Sequence, residues 1–170
     1  AGRETSMRTS GYRPVAPSPF PPEAVAGLQA EYDPPHAMST EEVRDMVECY
    51  AQGARRARDA GFDMCELHCA HGYLISEFMS PLTNRRTDEY GGSFLGRMRF
   101  VTEIIRRIRE LVGKEYPLAC RIVGDELREG GIDMALAADI ARYLEKLGIA
   151  ALSVSAGMFP FVRTVSNMYH

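Results

Sequence analysis

The sequence lacks an excess of positive charge and any basic stretch interleaved with aromatic residues. Its 170 residues include 20 lysines and arginines against 23 aspartates and glutamates, which gives a net charge of −3 at pH 7. This balance provides no general attraction to a phosphate backbone. We therefore predict no nucleic-acid partner.

An apolar run long enough to cross a bilayer is also missing. The longest uncharged apolar stretch, residues 148–162, is interrupted by Gly157 and Pro160, whereas a transmembrane helix needs about 20 apolar residues. The first residues contain no apolar signal-like region. We expect neither a membrane association nor a targeting segment.

Cysteine patterns typical of redox or zinc motifs are absent as well. No Cys-x-x-Cys spacing occurs among the four cysteines, which are Cys49, Cys65, Cys69 and Cys120. Two of them fall in short apolar runs that resemble core strands. These features favour reduced thiols and a cytoplasmic protein.

The composition, with 45% hydrophobic and 25% charged residues, is that of a globular domain. Residues 1–38 hold seven of the ten prolines, and proline fixes φ and removes a backbone donor, so this segment is predicted to be a long irregular loop. Three helix and strand units follow over residues 39–157, and residues 158–170 are predicted to form a C-terminal loop.

Within residues 39–157, apolar periodicity and turn residues predict alternating helices and strands. The first helix begins at Ser39, which has Glu42 three residues later as in a capping box. The predicted helices cover residues 39–61, 93–113 and 134–147, and the predicted strands cover residues 63–69, 118–123 and 150–155, with a loop over 72–92. The strand at 63–69 is expected to be buried.

Alternation of this kind requires parallel strands joined by helical crossovers. A doubly wound sheet and a (β/α)₈ barrel both satisfy it. The sequence lacks both Gly-x-Gly-x-x-Gly and Gly-x-x-x-x-Gly-Lys, so the phosphate-binding fingerprints of the first architecture are missing.

Three polar side chains lie within six positions at the end of the first strand: His68, His71 and Tyr73. The carboxyl ends of barrel strands are where barrel enzymes keep their catalytic groups. Two imidazoles can donate to one oxygen, and a nearby phenol can deliver a proton to a basic carbanion. A single histidine at a strand end is usually only hydrogen-bonded, but three such groups together indicate an active site.

A zinc site is an alternative, because Cys65, His68, Cys69 and His71 are all ligand types. Alternate side chains of a strand share a face, so both cysteines should point away from His68. This geometry disfavours a tetrahedral cluster, and we expect no metal.

Arg121 lies inside the otherwise apolar run of residues 118–123. A buried arginine cannot lose its charge and needs an anionic or carbonyl partner. Two explanations stay open: a ligand contact, or a structural salt bridge to Asp125 or Glu126.

The middle of the chain resembles the old yellow enzyme family of FMN-dependent ene reductases, also called NADH:flavin oxidoreductases. The resemblance rests on Glu66-x-His68-x-x-His71-Gly-Tyr73 and on residues 80–93, Ser-Pro-Leu-Thr-Asn-Arg-Arg-Thr-Asp-Glu-Tyr-Gly-Gly-Ser. It implies a (β/α)₈ TIM barrel that binds FMN and reduces the C=C bond of α,β-unsaturated carbonyl compounds with NADH or NADPH.

The resemblance also implies residue roles. His68 and His71 would hydrogen-bond the substrate carbonyl oxygen, and Tyr73 would protonate the α-carbon. Arg121 would contact the flavin ring, as would His68. The segment Arg121-Ile-Val-Gly-Asp-Glu126 is similar to the branch of 2,4-dienoyl-CoA reductases and bile-acid enoate reductases, whose larger members add a 4Fe-4S cluster and a FAD domain.

Two departures from the family pattern stand out. Leu95 and Gly96 replace the usual Glu-Asn, which removes the capping-box partner of Ser93 and predicts a frayed helix start. A complete barrel needs about 250 residues, so the chain is expected to be a partial FMN-binding barrel domain, covering the fourth to sixth strands.

A different class of function stays open: a non-catalytic α/β fragment or interaction module, unable to hold flavin alone, whose exposed sheet edges would pair with another chain. The sequence also leaves open the natural substrate, an enone or an enoyl or dienoyl thioester, and whether the protein is a homo-oligomer.

Overall fold

The computed structural model describes residues 7–19 and 33–158. Its helices are α1 (Met7–Ser10), α2 (Thr40–Asp59), α3 (Leu74–Met79), α4 (Phe94–Val112) and α5 (Met134–Lys146). Its strands are β1 (Val15–Ala16), β2 (His36–Ala37), β3 (Cys65–Cys69), β4 (Leu118–Asp125) and β5 (Ala151–Ala156). The predicted C-terminal loop lies outside the described residues from position 159 onward.

Strands β3, β4 and β5 form one parallel sheet in that order. This confirms the predicted alternation of helices and strands. The helices cover one face, where Leu67 and Cys69 are buried, while Glu66 and His68 on the other face are exposed. A sheet covered by helices on one face only is typical of part of a barrel, since a doubly wound sheet has helices on both faces. We call the uncovered face the concave face, because it would line the inside of a barrel.

The expectation of a fully buried strand at 63–69 is therefore wrong for one face. Within the described residues, the sheet has three strands and none lies across from it to cover Glu66 and His68. The apolar residues of the strand instead face α2 and α3, within the main hydrophobic cluster.

Helix starts follow the predicted capping residues. Ser39 and Glu42 form the complete capping box of α2. The Oγ of Ser93 accepts a hydrogen bond from the Gly96 N–H at 3.1 Å, and α4 begins directly at Phe94. The predicted fraying of this start is not observed. A Cβ at Gly96 would lie 2.0 Å from the Gly91 carbonyl oxygen, so glycine permits the close approach of helix and loop.

The proline-rich segment is not wholly irregular. Strand β1 pairs in parallel with β2, and α1 precedes them. The His36 N–H donates to the Pro14 carbonyl at 2.7 Å, because proline loses its donor but keeps its acceptor. Strands of two residues leave no periodic pattern from which they could be predicted.

The segment predicted as a loop over 72–92 contains the short helix α3. All six residues of α3 are buried, including Glu77 and Ser76, so the helix shows no polar face that would reveal a period. Beyond it, the Asn84 amide donates to the carbonyls of Phe78 and Tyr90 at 2.7 Å each. The rest of the segment is thus tied to the helix by side-chain hydrogen bonds.

Glu126, which follows β4, is buried beneath the loops. Its Oε2 accepts from the Ser80 hydroxyl at 2.7 Å and from the Ile132 N–H at 2.8 Å. The loop after α3 and the loop after β4 are therefore held by one carboxylate. Within the described ranges, no helix is long and apolar enough to span a membrane.

Arg86 joins the N-terminal segment to the loop after α3. Its guanidinium donates to the carbonyls of Pro17 and Met38 and forms an ion pair with Asp88. Only 8% of its side chain is exposed. The planar guanidinium spreads five N–H donors over a rigid fork and so reaches acceptors on separate segments, whereas the three donors of an ammonium group sit on one compact atom.

We predict that Arg86→Lys lowers the free energy of unfolding by about 1–3 kcal/mol, the range for leaving buried acceptors unsatisfied. Urea denaturation followed by circular dichroism measures the change. Arg85→Lys is the matched control, because the exposed Arg85 side chain makes only a 3.5 Å hydrogen bond to Leu82. Equal stability losses in the two variants would contradict the role given to Arg86.

Candidate active site

The three polar residues predicted at the end of the first long strand do converge. The ring centroids of His68 and Tyr73 lie 4.8 Å apart, and those of His68 and His71 lie 5.8 Å apart. His68 is near the carboxyl end of β3, His71 is in the turn that follows, and Tyr73 is the residue before α3. Strand, turn and helix start therefore bring two imidazoles and a phenol to one edge of the sheet.

His71 adopts a left-handed backbone conformation with φ of 60°. Its Nδ1 lies 2.9 Å from the Gly157 carbonyl oxygen, and its Nε2 lies 2.8 Å from the Ser155 Oγ. Its backbone also forms a parallel bridge with Met158. A non-glycine residue in this conformation is strained by about 1–3 kcal/mol and is characteristic of functional sites.

Ser155 is a site residue that the sequence did not single out. It lies on β5, 84 positions from His71. Its alternation with Ser153 along β5 places both hydroxyls on the concave face. That alternation, in a strand ending near the site, is the signal that could have identified it.

Arg121 lies beside His68, because the two residues are register partners on β4 and β3. Its Nε is 3.3 Å from the Glu66 Oε1, and 44% of its side chain is exposed. The structural alternative predicted a partner at Asp125 or Glu126, and this is wrong. Asp125, at the end of β4, accepts from the Leu127 N–H, and Glu126 accepts from Ser80 and Ile132, whereas Glu66 shares the concave face with Arg121.

The surroundings of His68 disfavour its protonated form. Partial burial of the ring, and then the nearby His71 and Arg121, lower the pKa of His68 from its ordinary value, while Glu66 raises it. The lowered pKa favours the neutral imidazole form of His68. Among residues 7–19 and 33–158, none hydrogen-bonds to its ring, so its N–H is available to a ligand.

The cysteines lie on the opposite face, as predicted from strand alternation. Cys69 is fully buried against the helices, while His68 is exposed on the concave side. A hydrogen bond with Cys120, together with burial, holds the pKa of the Cys69 thiol well above its usual value. Among the described residues, no group of three or more His, Cys, Asp or Glu side chains is placed to hold a metal ion.

This arrangement offers two imidazoles, a phenol and a permanent cation on the face of the sheet that the helices leave uncovered. The histidines suit a ligand oxygen, and the guanidinium suits a group that carries negative charge. Together these groups can bind and orient an organic ligand and supply a proton to it.

Residues 1–159 match the sequence model of the NADH:flavin oxidoreductase / NADH oxidase family. The chain belongs to this family. A NADH oxidase of Thermoanaerobacter brockii is 47% identical over 166 residues, which is 97% of this chain and 25% of that protein. These matches establish an oxidoreductase family.

Solved structures of this oxidoreductase family superpose on the partial barrel. A 2-naphthoyl-CoA reductase in complex with 2-naphthoyl-CoA aligns with a TM-score of 0.83 and 26% identity, over 99% of this chain and 29% of that one. An old yellow enzyme homologue from Zymomonas mobilis aligns with a TM-score of 0.77 and 34% identity, over 90% of this chain and 44% of that one. The predicted fold, a fragment of a (β/α)₈ barrel, is confirmed, and the chain spans less than half the length of these relatives.

We predict that the titration midpoint of His68 lies below its ordinary value of 6.5. Arg121→Gln should move it upward, because a nearby positive charge is removed. Glu66→Gln should move it further downward, because a negative charge is removed. Imidazole NMR against pH gives the three midpoints.

Glu145→Gln on α5 is the control, because it removes the same charge outside the site and should leave the midpoint in place. A lowered histidine pKa also means that the fold loses stability as the pH falls through and below 6.5. A wild-type midpoint at or above this value, or shifts of the same sign in both site variants, would refute the electrostatic description.

Proposed function

We propose that this chain, as part of a complete barrel, belongs to an FMN-dependent oxidoreductase that uses NADH or NADPH to reduce the C=C bond of α,β-unsaturated carbonyl compounds. The observation that carries the proposal is the row formed by His68 and Arg121 with Tyr73 beside it. His68 is next to the last residue of β3 and Tyr73 follows that strand, on the carboxyl side of the parallel sheet, where barrel enzymes bind their substrates.

The residues on the concave face fit a flavin. Arg121 is exposed there and carries a permanent positive charge, which suits a ring edge that becomes anionic on reduction. His68 lies next to it and could contact the same ring. When bound, the flavin would supply the hydride that the substrate receives.

The substrate oxygen is assigned to His68 and His71. Donation of N–H groups to a carbonyl oxygen stabilises the negative charge that develops there as the β-carbon receives hydride. Tyr73 then gives its hydroxyl proton to the α-carbon, and solvent restores that proton. The product is the saturated carbonyl compound, with one hydride and one proton added across the double bond.

Enones and enoyl or dienoyl thioesters are the proposed substrates. The thioester class is supported by the structural likeness to a reductase solved with 2-naphthoyl-CoA. An additional 4Fe-4S cluster and FAD domain in a longer parent is compatible with the T. brockii relative, of which this chain covers only 25%.

An interaction module is the second candidate function. It is favoured by β5, the edge of the described sheet, where Val154 is 64% exposed and Leu152 is 37% exposed. An apolar strand edge of this kind can pair with another chain. A protein that never binds flavin, with or without Arg121, would support this candidate over the enzyme.

In the full-length protein, Tyr73→Phe should slow reduction of an enone by about 10²–10⁴-fold, the usual contribution of a positioned general acid. Flavin reduction by NADPH should be nearly unchanged, because the phenol acts only when the α-carbon needs a proton. Stopped-flow absorbance of the flavin measures both half-reactions separately.

Tyr143→Phe is the control, since Tyr143 contacts Thr102 on the helix side of the sheet. Equal losses in both half-reactions of Tyr73→Phe would show a structural role. A full-length protein that shows no flavin band, or one whose band is not bleached by NADPH, would overturn the proposed function itself.

Arg121→Leu should lower the reduction potential of the bound flavin and weaken FMN retention, because a fixed positive charge beside the reduced ring is lost. If Arg121 serves only as a partner for Glu66, the potential will not move. Potentiometry of the full-length variant decides between the two roles. Arg106→Leu on the exposed face of α4 is the matched control, and an unshifted midpoint with full flavin occupancy would remove Arg121 from the site.

A further inference from the structure

The guanidinium of Arg121 is bound from one side. Its Nε donates to the Glu66 Oε1 at 3.3 Å. Among the residues that the structure describes, no acceptor is hydrogen-bonded to Nη1 or Nη2 of Arg121. A guanidinium has five N–H donors, one on Nε and four on the two Nη atoms. The protein therefore uses the donor nearest the backbone, and the four donors at the end of the side chain are available to a ligand.

The geometry of the sheet allows this contact. Arg121 is the register partner of His68, so the carboxylate that it meets lies two positions earlier on β3. The register partner of Glu66 itself is Ala119, whose methyl group leaves room for a diagonal contact between the two long side chains. Because alternate residues of a strand share a face, Glu66 holds the guanidinium on the same face as His68.

We infer that Glu66 is a positioning residue, which binds Nε of Arg121 and so directs both Nη groups toward an anionic or carbonyl edge of a ligand on the concave face. This inference rests on the proposed function, in which that ligand is FMN. It gives a role to the first residue of the motif Glu66-x-His68-x-x-His71. A guanidinium that is already oriented loses less conformational freedom when the ligand binds.

The carboxylate of Glu66 also has an effect that opposes the first. Its negative charge weakens the attraction between Arg121 and an anionic ring edge. A neutral variant compared with the wild-type protein would therefore report the loss of the charge together with the loss of the contact. Two neutral variants of similar length separate these effects. Glu66→Gln keeps a carbonyl oxygen that can accept from Nε, whereas Glu66→Met offers only a thioether, which is a weak acceptor.

In the full-length protein, Glu66→Gln should bind FMN more tightly than Glu66→Met by about tenfold, the change that corresponds to one net hydrogen bond. Titration of the flavin-free variants with FMN gives the two dissociation constants. The difference cannot come from His68, because both variants remove the same charge and lower the pKa of His68 alike. Equal dissociation constants would overturn the inference.

The same two substitutions in an Arg121→Leu background are the matched control. Without a guanidinium to position, the Gln and Met variants should bind FMN equally. If they differ by the same factor in both backgrounds, Glu66 acts independently of Arg121, and the inference is overturned.

NMR of flavin-free protein labelled with ¹⁵N-arginine tests the contact itself. Arg121→Leu identifies the Nε–H signal of Arg121. We expect this hydrogen to exchange with water more slowly than that of Arg106, which is exposed on α4. Slow exchange should persist in Glu66→Gln and be lost in Glu66→Met. Equally fast exchange at Arg121 and Arg106 in the wild-type protein would overturn the inference even if a variant fails to fold.

The proposed function fails separately from this inference. Slow Nε–H exchange in a full-length protein that binds no FMN would overturn the function and leave the positioning of Arg121 by Glu66 supported. Enone reduction by a flavin-loaded protein, with equal FMN affinity in the Gln and Met variants, would do the reverse.

Discussion

The site depends on the parallel register of β3, β4 and β5. This register sets His68, Arg121 and Ser153 side by side in one row on the concave face. Because side chains alternate along a strand, a slip of one residue would turn the whole row toward the helices. Arg121 would then be buried among apolar side chains. This burial is unfavourable, because the guanidinium cannot lose its charge.

The opposite face of β3 and β4 holds the register of these two strands in place. Leu67, Cys69, Cys120 and Ile122 are buried there against the helices. Exposing a single large apolar side chain costs about 1.5–3 kcal/mol. The free-energy cost of a slip that exposes several of them is therefore larger than any gain from rearranged polar contacts. The hydrophobic core thus determines the position of groups that it does not touch.

Features set by neighbouring residues could be predicted from the sequence, and contacts between distant residues could not. The capping box joins Ser39 and Glu42, which are three positions apart, and strand alternation correctly separated His68 from the cysteines. The bond from Ser155 to His71 joins positions 84 apart, and the Arg121 to Glu66 pair joins positions 55 apart. These pairs form only when the strands align in the sheet. They could not be predicted, because no local sequence pattern shows which strand will lie beside which.

The buried carboxylate of Glu126 also limits how this barrel segment can change. It accepts hydrogen bonds from Ser80 in the loop after α3 and from Ile132 in the loop after β4, and a Cβ at Gly131 would lie 2.4 Å from its oxygen. The two loops are therefore linked through one side chain, and neither can be exchanged independently of the other. Grafting either loop from a relative onto this scaffold would require the partner loop and this carboxylate to be transferred with it.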